Sequence, residues 1–391
     1  MRVLINMQSA SGQRTGVGHY TWELTHALQA RVGKDIRPYP TPWESRVVGW
    51  YERQSALFES ADRRAWTRWA RGRMLQLARV AGARSYTERL GCVVNREGID
   101  LYHEPFFMPL ECNAPAVATI HDLSVILYPA WHRAETVRLF ERHFASGLNR
   151  CVHLIAVSKF TQEQIVRHLG WPLERTSVTY NGRREHLRPL SAEECTPVLR
   201  RLGLEPGYLL HVGTLEPRKN LGMLLRAYCA LPGAVRERHP LVLAGSAGWN
   251  SGELHDYLRG AAREENVRWL GYVQDEDFAA LYSAARSLVF PTLYEGFGMP
   301  TVEMLACGGA VLASTAGAVA ETVGAQAHLI DPHDEDGWRD AMLRVCTDQD
   351  WWQSLRRGAE EVARPFTWTR CAHDTLNAYH AALGNSVKRA A

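Results

Sequence analysis

The chain has 391 residues, of which 46% are apolar and 22% charged, more than one hydrophobic core usually supports and too apolar for disorder, so two domains are expected. Its formal net charge of +3, from 45 Lys and Arg against 42 Asp and Glu, makes no global electrostatic case for nucleic acid, and no nucleic-acid motif accompanies it. The cysteines at 92, 112, 151, 195, 229, 307, 346 and 371 show no Cys-x-x-Cys pair or other metal spacing, which fits reduced thiols in the cytoplasm. There is no secretory signal and no run of about eighteen apolar residues, so neither export by that route nor a membrane span is expected, and peripheral attachment stays open.

A first series of short apolar strands is expected over 3–6, 99–103, 116–120 and 154–157, with helical stretches between them. That alternation argues for a parallel sheet with helices on its faces. After the first strand and a long loop comes Thr15-Gly-Val-Gly-His-Tyr20, ahead of a helix over 20–30. It resembles the dinucleotide fingerprint but lacks the third glycine, which argues against nicotinamide binding. Gly16 and Gly18 would instead let the backbone approach a phosphate or an acceptor, the alternative being a plain loop at a helix start. Between 46 and 96 eleven arginines stand against Glu52, Glu59, Asp62 and Glu88, with Trp50, Phe58, Trp66 and Trp69 among them. The segment reads either as an interfacial amphipathic helix drawn to anionic headgroups or as a solvated face packed on its own domain. His121-Asp122-Leu123 follows the strand 116–120; a His and an Asp there are a metal ligand, a general base or a satisfied polar pair.

A Pro- and charge-rich stretch, 183–206, separates this series from a second, over 208–212, 240–244, 267–270, 287–291 and 310–313. We expect a boundary near Pro189, giving domains 1–189 and 190–364 and a tail 365–391 carrying Trp368 and Tyr379. At the end of strand 208–212 lies Gly213-Thr-Leu-Glu-Pro-Arg-Lys-Asn220. Arg218 offers a planar fork and Lys219 a compact charge, a pair suited to a diphosphate, although Arg-Lys on a loop is also a common solvated pair. Leu243-Ala-Gly-Ser-Ala-Gly-Trp249 and Leu270-Gly-Tyr-Val273 are further strand-end turns that packing alone would explain. Asp275-Glu-Asp277 and Asp334-Glu-Asp336 precede helical stretches over 278–285 and 338–345 and read as caps and dipole partners rather than metal ligands. Last comes Glu295-Gly-Phe-Gly-Met-Pro-Thr-Val-Glu303, two carboxylates eight residues apart around a bendable turn, with a helix expected over 301–307. Exposed N–H groups at such a helix start suit an anion, and the carboxylates suit sugar hydroxyls; a capped Gly-rich turn with a solvated Glu is the bland reading.

Taken together, Glu-x7-Glu around Gly-Phe-Gly-Met-Pro and the loops before it resemble the retaining glycosyltransferases of the GT4 family over most of the chain. That resemblance implies the GT-B fold, an α/β architecture of two facing Rossmann-like domains with a central cleft, whose C-terminal helices pack back on the first domain. It places Glu295 at the donor sugar's hydroxyls and Glu303 at the ribose. The backbone of Phe297, Gly298, Met299, Pro300 and Thr301 would meet sugar and phosphate. His121 would lie against the sugar, bonding its C6 hydroxyl or supporting developing positive charge, with Asp122 orienting the loop. Gly16 and Gly18 join the donor-binding set, Val273 abuts the nucleobase through its backbone, and Arg218 with Lys219 takes the diphosphate. One departure is Thr214, where many members carry an Arg.

These fixed cations would take a metal's electrostatic role, so no metal and no cofactor is expected. No nucleophilic carboxylate is evident on the far face of the sugar, which favours same-face attack over the two-carboxylate route of glycosidases. His-Asp-Leu-Ser combined with Gly-Thr-Leu-Glu-Pro-Arg-Lys-Asn looks most like bacterial mannosyltransferases that use GDP-mannose for surface polysaccharides, while UDP-sugar relatives share nearly every residue. The implied partners are a nucleotide-sugar donor and a growing, lipid-linked glycan acceptor, with the Arg-rich segment 46–96 as a dock at the inner membrane face and no nucleic acid. A dinucleotide oxidoreductase would need the intact glycine fingerprint. A silent sugar-binding paralogue would be expected to lose His121, Lys219 or Glu295, and a glycoside phosphorylase would use pyridoxal phosphate on a lysine.

Overall fold

The computed structural model describes residues 1–10, 16–40, 86–249, 252–260 and 265–390. A first sheet contains β1 (Val3–Asn6), β2 (Ile36–Tyr39), β3 (Leu101–Glu104), β4 (Ala116–Ile120), β5 (Cys151–Ala156) and β6 (Thr176–Val178). A second contains β7 (Leu209–Val212), β8 (Leu241–Ala244), β9 (Val267–Gly271), β10 (Ser287–Phe290), β11 (Val311–Ser314) and β12 (His328–Ile330). Their orders are β2-β1-β3-β4-β5-β6 and β12-β11-β10-β7-β8-β9, and every pairing is parallel. Central strands such as Val-Leu-Ile-Asn in β1 and Leu-Val-Leu-Ala in β8 are buried at every position. Helices cover both faces of a parallel sheet, so its strands read as continuous apolar runs rather than alternating ones.

The topology fixes where a ligand goes. In the first sheet the chain reverses direction of growth between β1 and β3, in the second between β7 and β10, and the carboxyl ends of strands at such switch points open a crevice. On one face of the second sheet, Val302 and Leu305 pack with Leu210 and Leu288. On the other, Leu224, Trp338 and Met342 pack with Leu209 and Val289. Trp338 is fully buried, and truncating such a side chain to Ala costs about 3–5 kcal/mol. The tail forms one helix, Trp368–Ala390, whose Trp368, Cys371 and Tyr379 pack with Tyr20, Leu24, Leu28 and Ile155 of the first lobe. The Tyr379 hydroxyl lies 2.7 Å from His103 Nδ1, tying the last helix to β3.

Three strands escape the sequence reading: β2, β6 and β12 lie at sheet edges, are short and only partly buried, so they lack the apolar run that marks central strands. Pro38 in β2 is tolerated there because an edge strand need not donate from every residue. β5 starts three residues before its expected position, because His153 sits inside it with Nε2 2.8 Å from the Ser177 hydroxyl. Within the Arg-rich stretch, residues 46–85 lie outside the described residues; residues 86–97 form a helix whose Leu90 and Val94 are buried with Leu4 and Tyr102.

The capping assignment holds for Asp334, whose Oδ1 accepts from Gly337 N–H at 2.9 Å, and fails for the other acidic pair. Asp275 binds Arg184 and Asp277 binds Arg201, and Asp277 makes no side-chain cap at Phe278–Ser283. Two arginines from elsewhere in the chain claim these carboxylates.

Candidate active site

Beyond β7, Gly213 has a φ of 151°, which side-chain-bearing residues rarely adopt, and an added Cβ would stand 3.3 Å from the Lys219 side chain. The chain then makes one tight turn, Pro217–Lys219, closed by Asn220 in the left-handed region, whose Nδ2 donates to Pro332 O at 2.7 Å. Beyond β10, Leu293 N–H and the Thr292 hydroxyl donate to Arg218 O at 2.8 and 3.1 Å. Two neighbouring strand ends are thereby stitched together, and their side chains converge. Lys219 Nζ lies 2.6 Å and Arg218 Nη1 3.1 Å from Glu295 Oε2, while Arg218 Nε lies 2.6 Å from Glu216 Oε1. Burial alone would raise the Glu295 carboxyl, but Arg218 and Lys219 outweigh it and hold it down at about 2.

The loop carrying Glu295 is pressed against the first lobe. A Cβ on Gly296 would fall 1.7 Å from His121 O, so only glycine fits, and Gly296 O accepts from the Ser158 and Thr161 hydroxyls at 2.7 and 3.2 Å. Ser158 also caps the helix Lys159–Leu169 by accepting from Thr161 N–H. The same helix start holds a second tie: Lys159 and Phe160 N–H donate to the Glu321 carboxylate of the second lobe at 2.8 and 3.0 Å. The Tyr180 hydroxyl donates to it as well, at 2.6 Å. Four helix-start N–H groups lack intrahelical acceptors, and here the opposite lobe supplies acceptors for two of them.

His121, at the end of β4, donates from Nε2 to Pro105 O at 2.9 Å and meets the edge of the Tyr20 ring. Burial lowers its pKa, so at neutral pH it is an uncharged imidazole with Nδ1 as acceptor. Such a group can receive a sugar hydroxyl's hydrogen bond. Asp122 Oδ1 accepts from the Ser124 N–H and hydroxyl at 2.8 and 2.6 Å, which shapes the loop after His121.

These elements surround a cleft of about 600 Å³, within the range of ligand sites. Gly16, His121, Arg218, Lys219, Val273, Glu295, Phe297, Gly298, Met299, Pro300 and Glu303 all line it. Two expected residues do not. A Cβ on Gly18 would stand 2.5 Å from Ser9 O, so this glycine serves the close packing of helix Gly16–Val32 on the turn Gln8–Ala10. Thr301 is fully buried, with its N–H and hydroxyl both donating to Gly298 O at 3.0 and 2.7 Å. Pro300 has no N–H to give. The free amides at this helix start are therefore those of Phe297, Gly298 and Met299, which have no acceptor among the described residues.

At the other end of the cleft, Glu303 is 1% exposed, and both its oxygens lie 2.5 Å from Arg184 Nη1, with the Tyr282 hydroxyl donating to Oε2 at 2.9 Å. Arg184 is the functional candidate that sequence reasoning missed. The one available signal was a pair of arginines inside a stretch taken as a linker. Among the described residues no group of three or more His, Cys, Asp or Glu side chains could hold a metal ion, and no helix is long and apolar enough to cross a membrane.

The family model Glycosyltransferase Family 4 matches residues 14–184 and Glycosyl transferases group 1 matches 200–364. The chain is 32% identical to O-antigen chain mannosyltransferase B of Escherichia coli over 97% of its own length and 99% of that protein's. It is 27% identical to the serotype-specific mannosyltransferase WbdA of the same organism, over 69% of this chain and 34% of that one. In architecture it is similar to sucrose-phosphate synthase from Thermosynechococcus elongatus, with a TM-score of 0.71 at 20% identity over 97% and 98% of the two chains. The lipopolysaccharide glycosyltransferase WaaG gives a TM-score of 0.69 at 14% identity over 95% and 98%. With a full-length relative at that identity and a cleft assembled as the GT-B fold requires, this chain belongs to the GT4 family of glycosyltransferases and is a hexose-transferring enzyme.

Proposed function

We propose that the enzyme moves mannose from GDP-mannose, with retention of configuration, to a hydroxyl of a growing, lipid-linked glycan. The observation that carries the sugar is the full-length relationship to an O-antigen mannosyltransferase. The cluster of Arg218, Lys219 and Glu295 supports the chemistry. Breaking the bond between the anomeric carbon and the diphosphate leaves an oxocarbenium-like sugar, and the electron pair departs on the phosphate. Arg218, Lys219 and the free amides of Phe297, Gly298 and Met299 meet that charge. Lys219 exchanges its Glu295 partner for phosphate oxygen, freeing the Glu295 carboxylate to accept from sugar hydroxyls, while neutral His121 accepts from another. The acceptor oxygen then attacks from the face the phosphate leaves, and its proton passes to a phosphate oxygen.

In this reading neither a metal nor a cofactor takes part. Residues 1–189 serve the acceptor and 190–364 the donor, with 365–391 crossing back. The setting is the cytoplasmic face of the inner membrane, with the segment 46–96 as the contact. A UDP-sugar donor is the second reading, favoured by the similarity to Anabaena HepE, solved with UDP-glucose. A thermal-shift panel of GDP, UDP and ADP with their sugar conjugates decides among them, since a ligand of the folded state raises its melting temperature. GDP and GDP-mannose give the largest shifts on this account. A response to UDP-sugars alone replaces the donor, and a response to nicotinamide nucleotides alone removes the site.

A further inference from the structure

Arg184 lies outside every sequence motif, on the segment that leaves β6 and leads into the second lobe, and it organises one end of the cleft. Its guanidinium is held on three sides. Nη1 reaches both oxygens of Glu303 at 2.5 Å, Nε donates to Asp275 Oδ1 at 2.7 Å, and the guanidinium carbon sits 4.4 Å from the centre of the Phe278 ring. The same side chain lines the cleft. Glu303 in turn has no other cation within ion-pair distance among the described residues. The Tyr282 hydroxyl completes the set on Oε2, so the carboxylate's position depends on two donors, one of them brought from 119 residues away. A carboxylate offers about four lone-pair sites, and this arrangement leaves capacity on Oε1.

We infer that Arg184 is a positioning residue for donor binding: it fixes the Glu303 carboxylate so that its remaining lone pair accepts a hydrogen bond from a hydroxyl of the donor's ribose. This rests on the reading of Glu303 as the ribose-facing carboxylate. A planar fork, anchored at Nε and stacked on an aromatic face, holds a partner's orientation in a way an ammonium on a flexible stem does not. Because Arg184 stands on the chain that joins the lobes, the grip on the nucleoside is also a grip on that connection.

The test is calorimetric titration of GDP and its 2′-deoxy and 3′-deoxy counterparts into the wild-type protein, Arg184→Lys and Arg184→Met, each first checked for a cooperative thermal transition. Wild type is expected to bind GDP about tenfold tighter than at least one deoxy form, the worth of one hydrogen bond to a charged group. Arg184→Met is expected to bind GDP about tenfold more weakly and to lose that discrimination, with Arg184→Lys keeping part of it. Discrimination in a folded Arg184→Met equal to that of wild type overturns the inference. Should Arg184→Met fail to fold, Arg184→Lys decides, and full wild-type discrimination in it overturns the inference equally. Wild type that binds GDP and both deoxy forms alike removes the ribose reading of Glu303 and this inference with it. Absence of any nucleotide binding removes the donor site itself.

Discussion

The two ends of the cleft are built in opposite ways. At the end proposed for the phosphate, Arg218, Lys219 and Glu295 come from loops after adjacent strands of one sheet, joined by backbone bonds such as Leu293 N–H to Arg218 O. At the end proposed for the nucleoside, Glu303 is held by an arginine from the segment between the lobes. The ion pairs of the first arrangement are made within one lobe, whereas the second depends on where the connecting segment lies. On the proposed reading, phosphate chemistry is preorganised within one lobe, and nucleoside recognition registers the relation between two. Preorganised charge is the larger lever on rate, and contacts that depend on lobe position act more on binding.

The sharpest way to break that contrast is at the phosphate end. Lys219→Ala and Glu295→Ala are each expected to lower kcat by about a hundredfold or more, with far-UV circular dichroism unchanged. Near-normal turnover in both would separate these residues from the chemistry. A smaller effect is expected where the donor loop touches the first lobe. Gly296→Ala places a methyl group against His121 O, and overpacking of this kind costs about 1–3 kcal/mol, read as a melting temperature lower by several degrees and a raised donor KM. An unchanged melting temperature and KM would mean that loop and lobe are not in contact in solution. The smallest effect belongs to the interlobe tie alone. Glu321→Gln keeps the shape but removes the charge that receives Lys159 and Phe160 N–H, a loss of about 1 kcal/mol, and should raise donor KM a few-fold with kcat retained. An equal fall in kcat would instead place Glu321 in the transition state's surroundings.

The same contrast explains what could be read in advance. Central strands were legible because burial on both faces demands apolar runs, and the loops after β7 and β10 because their chemistry is contiguous in sequence. Edge strands β2, β6 and β12 were not, since partial burial relaxes their composition. Gly18 and Thr301 carry the right residue types in the right motifs, yet the first is required by the approach of Ser9 O and the second spends its donors on Gly298 O. The first fact has no local signature, and the second, a bond only three residues back, depends on how the helix starts at Gly298. Arg184 and the partners of Asp275 and Asp277 were missed for the same reason: an ion pair across 119 or 76 residues exists only once the chain is folded. His121 was identifiable as a strand-end residue, but its neutral state follows from burial, which outweighs the opposing pull of its hydrogen bond to Pro105 O.

The central claim, that a donor is held by its diphosphate through fixed cations, meets its most direct test in the binding of GDP and GMP to the wild-type protein and to Lys219→Ala in the presence of a chelator. The account predicts tight GDP binding without any divalent ion, much weaker GMP binding, and loss of most of that difference in Lys219→Ala. GDP binding that disappears with the chelator and returns with manganese, or GMP bound as tightly as GDP, would contradict it.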